Sequence, residues 1–318
     1  MTRARRLGVV GTMVWDTIYG RGPAPEPVEE WGGIAYALAA LEAALPDNWE
    51  IVPLVRVGRD LAPAANRFLE DLTRRAAASR FIEVPEPNNR VTLRYQTLTR
   101  RTERLTGGVP PWTWAELGPL VADLDGLYVN FISGFELDLE TAVRLRQAFA
   151  GPIYADFHSL LLGVTRHGLR VPRPLPDLDA WLGCFDVVQM NEEEMAVLGR
   201  PPMELAAQAL AAGVGLLVVT VGPRGAVYFT SRGFSLARRA APAAGPVETA
   251  LVPAPIPAES GDPTGCGDVF GATLVAHLLR GAPLAEALRE ANTAAGRNLA
   301  HRGASRLQYH LRGQLAPR

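Results

Sequence analysis

Short apolar runs alternate with longer alanine- and leucine-rich stretches over most of this chain, and that alternation limits what it can fold into. Runs at 7–11, 51–57, 81–84, 126–131, 153–157, 186–190 and 216–221 read as buried strands, being short, apolar and bounded by turns. Helical spacing follows at 34–45, 61–76, 139–149, 192–198, 203–212, 266–280 and 283–300. Thr113 and Glu116 have capping-box spacing and open a further helix toward 122. The alternation predicts an α/β, doubly wound, mostly parallel sheet with helices on both faces. Turn-separated β-rich runs at 226–230, 234–238 and 247–252 predict antiparallel hairpins at its end.

Two segments stand outside these layers. Residues 17–31 carry Pro23, Pro25 and Pro27; residues 88–105 alternate Val91, Leu93, Tyr95 and Thr97 against Thr92, Arg94 and Gln96. They read as one small accessory sheet, with a pair of surface loops as the alternative.

The 318 residues suit one large α/β unit spanning 1–318 with that appendage. With 32 basic against 33 acidic residues, nothing electrostatic points to nucleic acid or an anionic membrane. No run approaches 18 apolar residues, so no membrane helix is expected. The basic start before residues 7–10 faintly imitates a signal peptide, but Asp16 soon interrupts it. Every basic residue counted is arginine, which excludes a Walker A lysine, a kinase strand lysine and a Schiff base. Cys184 and Cys266 sit in no metal or disulfide pattern, and a reduced, cytoplasmic setting is the expectation.

The strongest chemical signal is the run from Gly261 and Asp262 through Pro263, Thr264, Gly265, Cys266 and Gly267 to Asp268, entering a helical stretch. Small residues at a helix start let backbone amides converge on an anion, and the helix dipole favours negative charge there. An aspartate at the end of such a loop is placed to take a proton from an alcohol. A glycine-rich turn with a capping aspartate is the plainer alternative, but two aspartates flanking the cradle make the signal more specific.

These residues resemble the late motif of the ribokinase-like carbohydrate kinases, the phosphofructokinase-B type. The departures are Pro263, Cys266 and Thr273, where the family has Thr, Ala or Gly, and Ala or Gly. Other motifs fall in the family's order along nearly the whole chain: Asp16 after the first strand, Gly32 and Gly33 before the first long helix, Asn191 with Glu194, Thr220 with Gly222 and Gly225, and Asn292 in the last long helix. The resemblance implies an ATP-dependent kinase for a hydroxyl of a sugar or sugar-like molecule. It implies Asp268 as base, with Gly265, Cys266 and Gly267 offering amides to the transferred phosphoryl group. Asp262 and Glu194 would support Mg2+. Asn191, Thr220, Gly222, Gly225 and Asn292 would face the nucleotide, and Asp16, Gly32, Gly33 and Asn130 the acceptor. Some members also bind a monovalent cation such as K+, and 303–305 lies where that site is completed. Segments 17–31 and 88–105 would form the lid, through which a homodimer is one expected assembly.

The acceptor side departs from ribokinases, with Val14 and Ala37 where they carry asparagines. That argues against ribose and for a more apolar pocket, with Trp15, Tyr36, Asn130 and Ser133 as candidate walls, suiting a nucleoside or modified sugar. His158, after a strand end, is a further candidate; Arg94, Arg100, Arg101 and Arg104 make the second lid segment basic and read as a solvated strand face. The helix start is expected to lower the Cys266 thiol. The rivals are a nucleoside kinase of the same fold, a catalytically silent sugar-binding or regulatory homologue, and a dinucleotide-binding dehydrogenase. Residues 8–11 lack the glycine spacing of the last.

Overall fold

The computed structural model of the chain describes residues 3–20, 26–77, 79–96, 101–236, 245–255 and 261–315. β1 (Arg5–Tyr19) opens the chain, β2 (Val28–Gly33) folds back on it, and α1 (Ile34–Ala44) follows at once. β3 (Trp49–Gly58), α2 (Ala62–Glu70) and β4 (Ile82–Val84) lead to the hairpin of β5 (Arg90–Tyr95) and β6 (Arg101–Thr106). Next come α3 (Trp114–Val121), β7 (Gly126–Asn130), α4 (Leu139–Ala148), β8 (Ile153–Asp156), and a second hairpin of β9 (Leu162–Val164) and β10 (Arg170–Pro172). α5 (Leu178–Leu182), β11 (Val187–Asn191), α6 (Glu192–Val197), α7 (Pro202–Ala212) and β12 (Leu216–Thr220) continue the alternation. β13 (Ala226–Ser231) and β14 (Val247–Val252) precede three closing helices, α8 (Cys266–Arg280), α9 (Leu284–Asn298) and α10 (Leu307–Leu311).

The main sheet has the order β14-β13-β12-β11-β8-β7-β1-β3-β4. It is parallel from β12 to β4, and β12, β13 and β14 are antiparallel neighbours. The doubly wound sheet inferred from the sequence is therefore present, with its hairpin end. One core packs α1, α8 and α9 on one face through residues such as Leu38, Phe270 and Leu288. The other face carries α3, α4, α5 and α7 over an edge-to-face cluster of Phe131, Phe157, Trp181 and Phe185. Among the described residues no helix is long and apolar enough to cross a membrane.

β1 is much longer than the expected 7–11. Its first half pairs with β3 and β7; its second half leaves the main sheet and pairs with β2 and β5. The small accessory sheet is thus β2-β1-β5-β6, and one continuous strand ties it to the core. α2 ends at Glu70 rather than 76, because Arg75 bridges to Ile51 and the Ala76 amide donates to the Ile51 carbonyl at 2.9 Å. Residues 234–236 are not strand, and the remainder of the expected 234–238 run lies outside the described residues, as do 21–25 and 97–100 of the two accessory segments.

Candidate active site

β3 and β4 lie on one side of β1, and β7, β8, β11 and β12 on the other, so the winding reverses at β1 and β7. Ligands of open α/β sheets collect at the carboxyl ends of strands at such a reversal. Here Asp16 leaves the main sheet on β1, Asn130 ends β7, and Asp156 ends β8. A pocket opens at this point, about 400 Å3 counting its mouth. Asp16, Asp268 and His158 line it from the core and Arg101 and Glu103 from β6, while Arg170 reaches it from β10.

The loop before α8 is held open by its own contacts. Asp262 Oδ1 accepts from the Thr264 amide at 3.0 Å and the Thr264 hydroxyl at 2.6 Å, and Asn298 Nδ2 donates to the Thr264 carbonyl at 2.9 Å. Gly265, the residue before the helix, has φ +78°, and a Cβ there would lie 2.3 Å from the Tyr36 ring. Both the left-handed backbone and the ring against it require glycine. Of the three expected amide donors, Cys266 is corrected: its N–H donates to the Pro263 carbonyl at 3.1 Å within the tight turn. Gly265 and Gly267 remain the candidates for meeting an anion at this helix start.

Asp268 lies in the first turn of α8, where Asn130 Nδ2 donates to its Oδ1 at 2.6 Å. Burial pushes its carboxyl up to about 6, while His158, the Asn130 hydrogen bond and Arg101 pull the other way. Below it, Gln189 Nε2 donates to the Gly267 carbonyl (3.0 Å) and to Asp156 Oδ2 (2.9 Å), and its Oε1 accepts from Tyr154. The first turn of α8 is thereby fixed against β8 and β11.

Asp16 faces the pocket from β1. A Cβ on Gly32 would stand 1.8 Å from Asp16 Oδ2, so the first glycine of the pair exists to let this carboxylate pass. Gly33, at φ +58°, turns the chain into α1. Burial, reinforced by Glu103, raises the Asp16 carboxyl to about 8 against the opposing charges of Arg101 and Arg170. Glu103 behaves oppositely. Burial opposes its ionisation, but Arg101, His158 and Arg170 hold it down to about 2. Arg101 Nε donates to Glu103 Oε1 at 2.7 Å and Arg170 Nη1 to Oε2 at 3.1 Å. Arg101 also donates to the Tyr95 hydroxyl (2.8 Å), which stands 3.0 Å from Thr264 Oγ1. A polar chain thus runs from the accessory sheet to the loop before α8.

Asn191 and Glu194 form a reciprocal cap on α6. The Glu194 amide donates to Asn191 Oδ1 (2.8 Å), and the Asn191 amide donates to Glu194 Oε2 (2.7 Å). Glu194 Oε1 also accepts from Asn191 Nδ2 (2.7 Å) and faces His158 Nδ1 (2.8 Å). Burial alone would lower His158, but the Glu194 contact and the neighbouring acids raise it to about 9. Among the described residues no group of three or more His, Cys, Asp or Glu side chains is placed to hold a metal. Glu194 accepts on both oxygens and Asp262 on Oδ1, so Asp262 Oδ2 is the oxygen of this pair that could support Mg2+ directly.

Thr220 pairs in register beside Asn191's strand end, and Gly222 and Gly225 frame the turn into β13. A Cβ on Gly225 would lie 2.2 Å from the Val252 carbonyl. Asn292 is buried and donates to that same carbonyl at 2.9 Å, so it fastens α9 to β14 and is not a solvated helix residue. Ser133 and Trp15 are not pocket walls. The Ser133 amide donates to Glu136 and its hydroxyl accepts from Asn89, and Trp15 packs edge-on against Trp31. The Cys266 expectation is also corrected. Burial pushes its thiol up to about 12, outweighing the Asn298 contact and any favour from the helix start.

Arg101 is no part of a solvated strand face: it turns into the pocket, and Arg94 lies over the Tyr19 ring. Glu103 and Arg170 are pocket residues that the motifs did not single out. The available signal for Glu103 was its alternation with Arg101 and Leu105 along one strand face. Arg170 carried none, because the short β9–β10 hairpin has no pattern of its own.

Residues 166–309 match the pfkB family carbohydrate kinases, a span that holds Asn191, Glu194 and the 261–268 loop but not Asp16 or Asn130. No curated protein sequence matches the chain. Among solved structures, ribokinase from Thermotoga maritima is similar at 17% identity and TM-score 0.72, over 97% of this chain and 98% of that one. A nucleoside kinase from Burkholderia thailandensis, solved with inosine, is 20% identical at TM-score 0.70, over 97% and 95%. An Escherichia coli protein assigned as ribokinase II and solved with ATP and Mg2+ is 17% identical at TM-score 0.72, over 96% of each. The fold is that of the ribokinase-like kinases. The resemblance carried by the motifs holds in the family match of the C-terminal part and in the fold of the whole.

Proposed function

We propose that the protein is a phosphotransferase that passes the γ-phosphoryl group of ATP to a hydroxyl of a sugar, a sugar-like molecule or a nucleoside. The observation that carries this reading is Asp268, a buried carboxyl tuned to about 6 on the first turn of a long helix and aimed by Asn130. A base near that value is ionised at neutral pH yet still able to hold a proton. The acceptor O–H gives its proton to the free oxygen of Asp268 as its oxygen bonds to the γ-phosphorus. The bond from the γ-phosphorus to the bridging oxygen breaks, and its electron pair leaves with ADP. The Gly265 and Gly267 amides and the α8 dipole meet charge on the transferred group. Mg2+ supplies charge neutralisation on the donor phosphates in such transfers.

Asp16 orients the acceptor hydroxyls. The apolar wall of Val14, Val91, Leu93 and Ile132, together with the similarity to a nucleoside kinase, supports a nucleoside as the second acceptor class. A lid homodimer remains part of this reading. Two free cysteines accord with a cytoplasmic setting.

The test is ADP formation by the full chain with Mg-ATP across neutral sugars, polyols and nucleosides. The reading expects ADP only when one of these acceptors is present. Acceptors that raise thermal stability without being phosphorylated would support the silent sugar-binding homologue instead.

A further inference from the structure

Glu103 sits on the accessory sheet, outside every motif, yet it is a wall of the pocket. Its side chain is only 13% exposed, and each of its oxygens accepts one hydrogen bond from a different arginine. The arginines come from separate elements, Arg101 from β6 and Arg170 from β10. Their guanidinium groups are spent on protein partners as well: Arg101 Nη1 on Tyr95 and Arg170 Nη2 on the Ile132 carbonyl at 2.6 Å. The cluster thus presents the Glu103 carboxylate to the pocket between two guanidinium groups. A carboxylate has about four acceptor sites, so two arginine contacts leave Glu103 room for two donors from a ligand.

We propose that Glu103 is a further acceptor-binding residue: with Asp16 across the pocket it accepts hydrogen bonds from hydroxyls of a polyhydroxy acceptor. This rests on reading the pocket as the acceptor site. The two acids approach from different strands, Asp16 from β1 and Glu103 from β6, and their mutual repulsion is a leading contributor to the raised Asp16 carboxyl. A diol donates to Glu103 and to the acceptor lone pairs that a protonated Asp16 retains.

Direct binding tests this without requiring turnover. The full chain is titrated calorimetrically, with no nucleotide, against ribose, a cyclitol and inosine. The expectation is that at least one of them binds. Glu103→Gln keeps the shape and removes the charge; it should weaken that ligand about 10- to 100-fold. Glu103→Asp, which keeps the charge, should retain more of the binding and serves if the glutamine variant fails to fold. Binding of none of these ligands, or unchanged binding by a folded Glu103→Gln, would overturn the proposal. Glu103-dependent binding without phosphoryl transfer would leave this inference standing and sink the kinase reading. Transfer that ignores Glu103 would do the reverse.

Discussion

Asn130 Nδ2 stands 2.6 Å from Asp268 Oδ1, joining the last residue of β7 to the first turn of α8. The contact fixes which carboxylate oxygen is spent on the protein and which faces the pocket. It also favours the ionised form and so limits how far burial can raise the group. The pH profile of kcat/KM should therefore fall on its acid side with a midpoint near 6. Asn130→Ala should move that limb to higher pH by roughly one unit, the worth of one lost charge-assisted hydrogen bond. An unmoved limb would show that another group sets the profile.

The raised Asp16 carboxyl carries a cost in stability. In the unfolded chain it ionises near 3.8; folded, it keeps its proton to about 8. The stability linked to that proton is fully present below the unfolded value and is lost progressively as pH rises through the folded one. Asp16→Asn should match the unaltered protein in thermal stability near pH 4 and exceed it increasingly toward pH 8, by roughly 2–4 °C per kcal/mol gained. Acceptor binding should fall at the same time. Thermal melts across that range, with and without acceptor, check both parts.

Tyr95 and Thr264 join the accessory sheet to the loop before α8 through hydroxyls 3.0 Å apart. Tyr95→Phe and Thr264→Val should each raise KM for the acceptor more than they lower kcat. The double variant should be less damaged than the sum of the two by about 0.5–2 kcal/mol. Strict additivity would mean that the contact does not couple the two parts.

Cys266 should be inert despite its place at a helix start. Alkylation of the native protein at neutral pH, followed by mass spectrometry, should leave it unmodified until the chain is unfolded, since burial holds the thiol in its protonated form. Fast native labelling would contradict the burial argument.

The residues legible in the sequence are those whose roles are local. Asp268 and its glycines announce a loop entering a helix, and Gly32 with Gly33 announces a close backbone approach. The fold was legible for the same reason, since strand and helix periods are short-range signals. What was not legible arises from tertiary pairing. β1 runs past its expected end because β2 and β5 offer it new partners, and nothing within 12–19 alone requires that. Arg101 reads as part of a solvated strand face in the sequence, and its register with Tyr95 turns it inward. The helix start beside Cys266 can be read from the sequence, but the burial that raises its thiol cannot.

The central claim is that Asp268 accepts the proton from the acceptor hydroxyl. The most direct measurement is transfer of a labelled γ-phosphoryl group to the best acceptor, comparing the unaltered protein with Asp268→Asn at saturating Mg-ATP. The account predicts a fall in kcat of at least about 100-fold, with acceptor binding and thermal stability retained. Equal rates in the two proteins would contradict it.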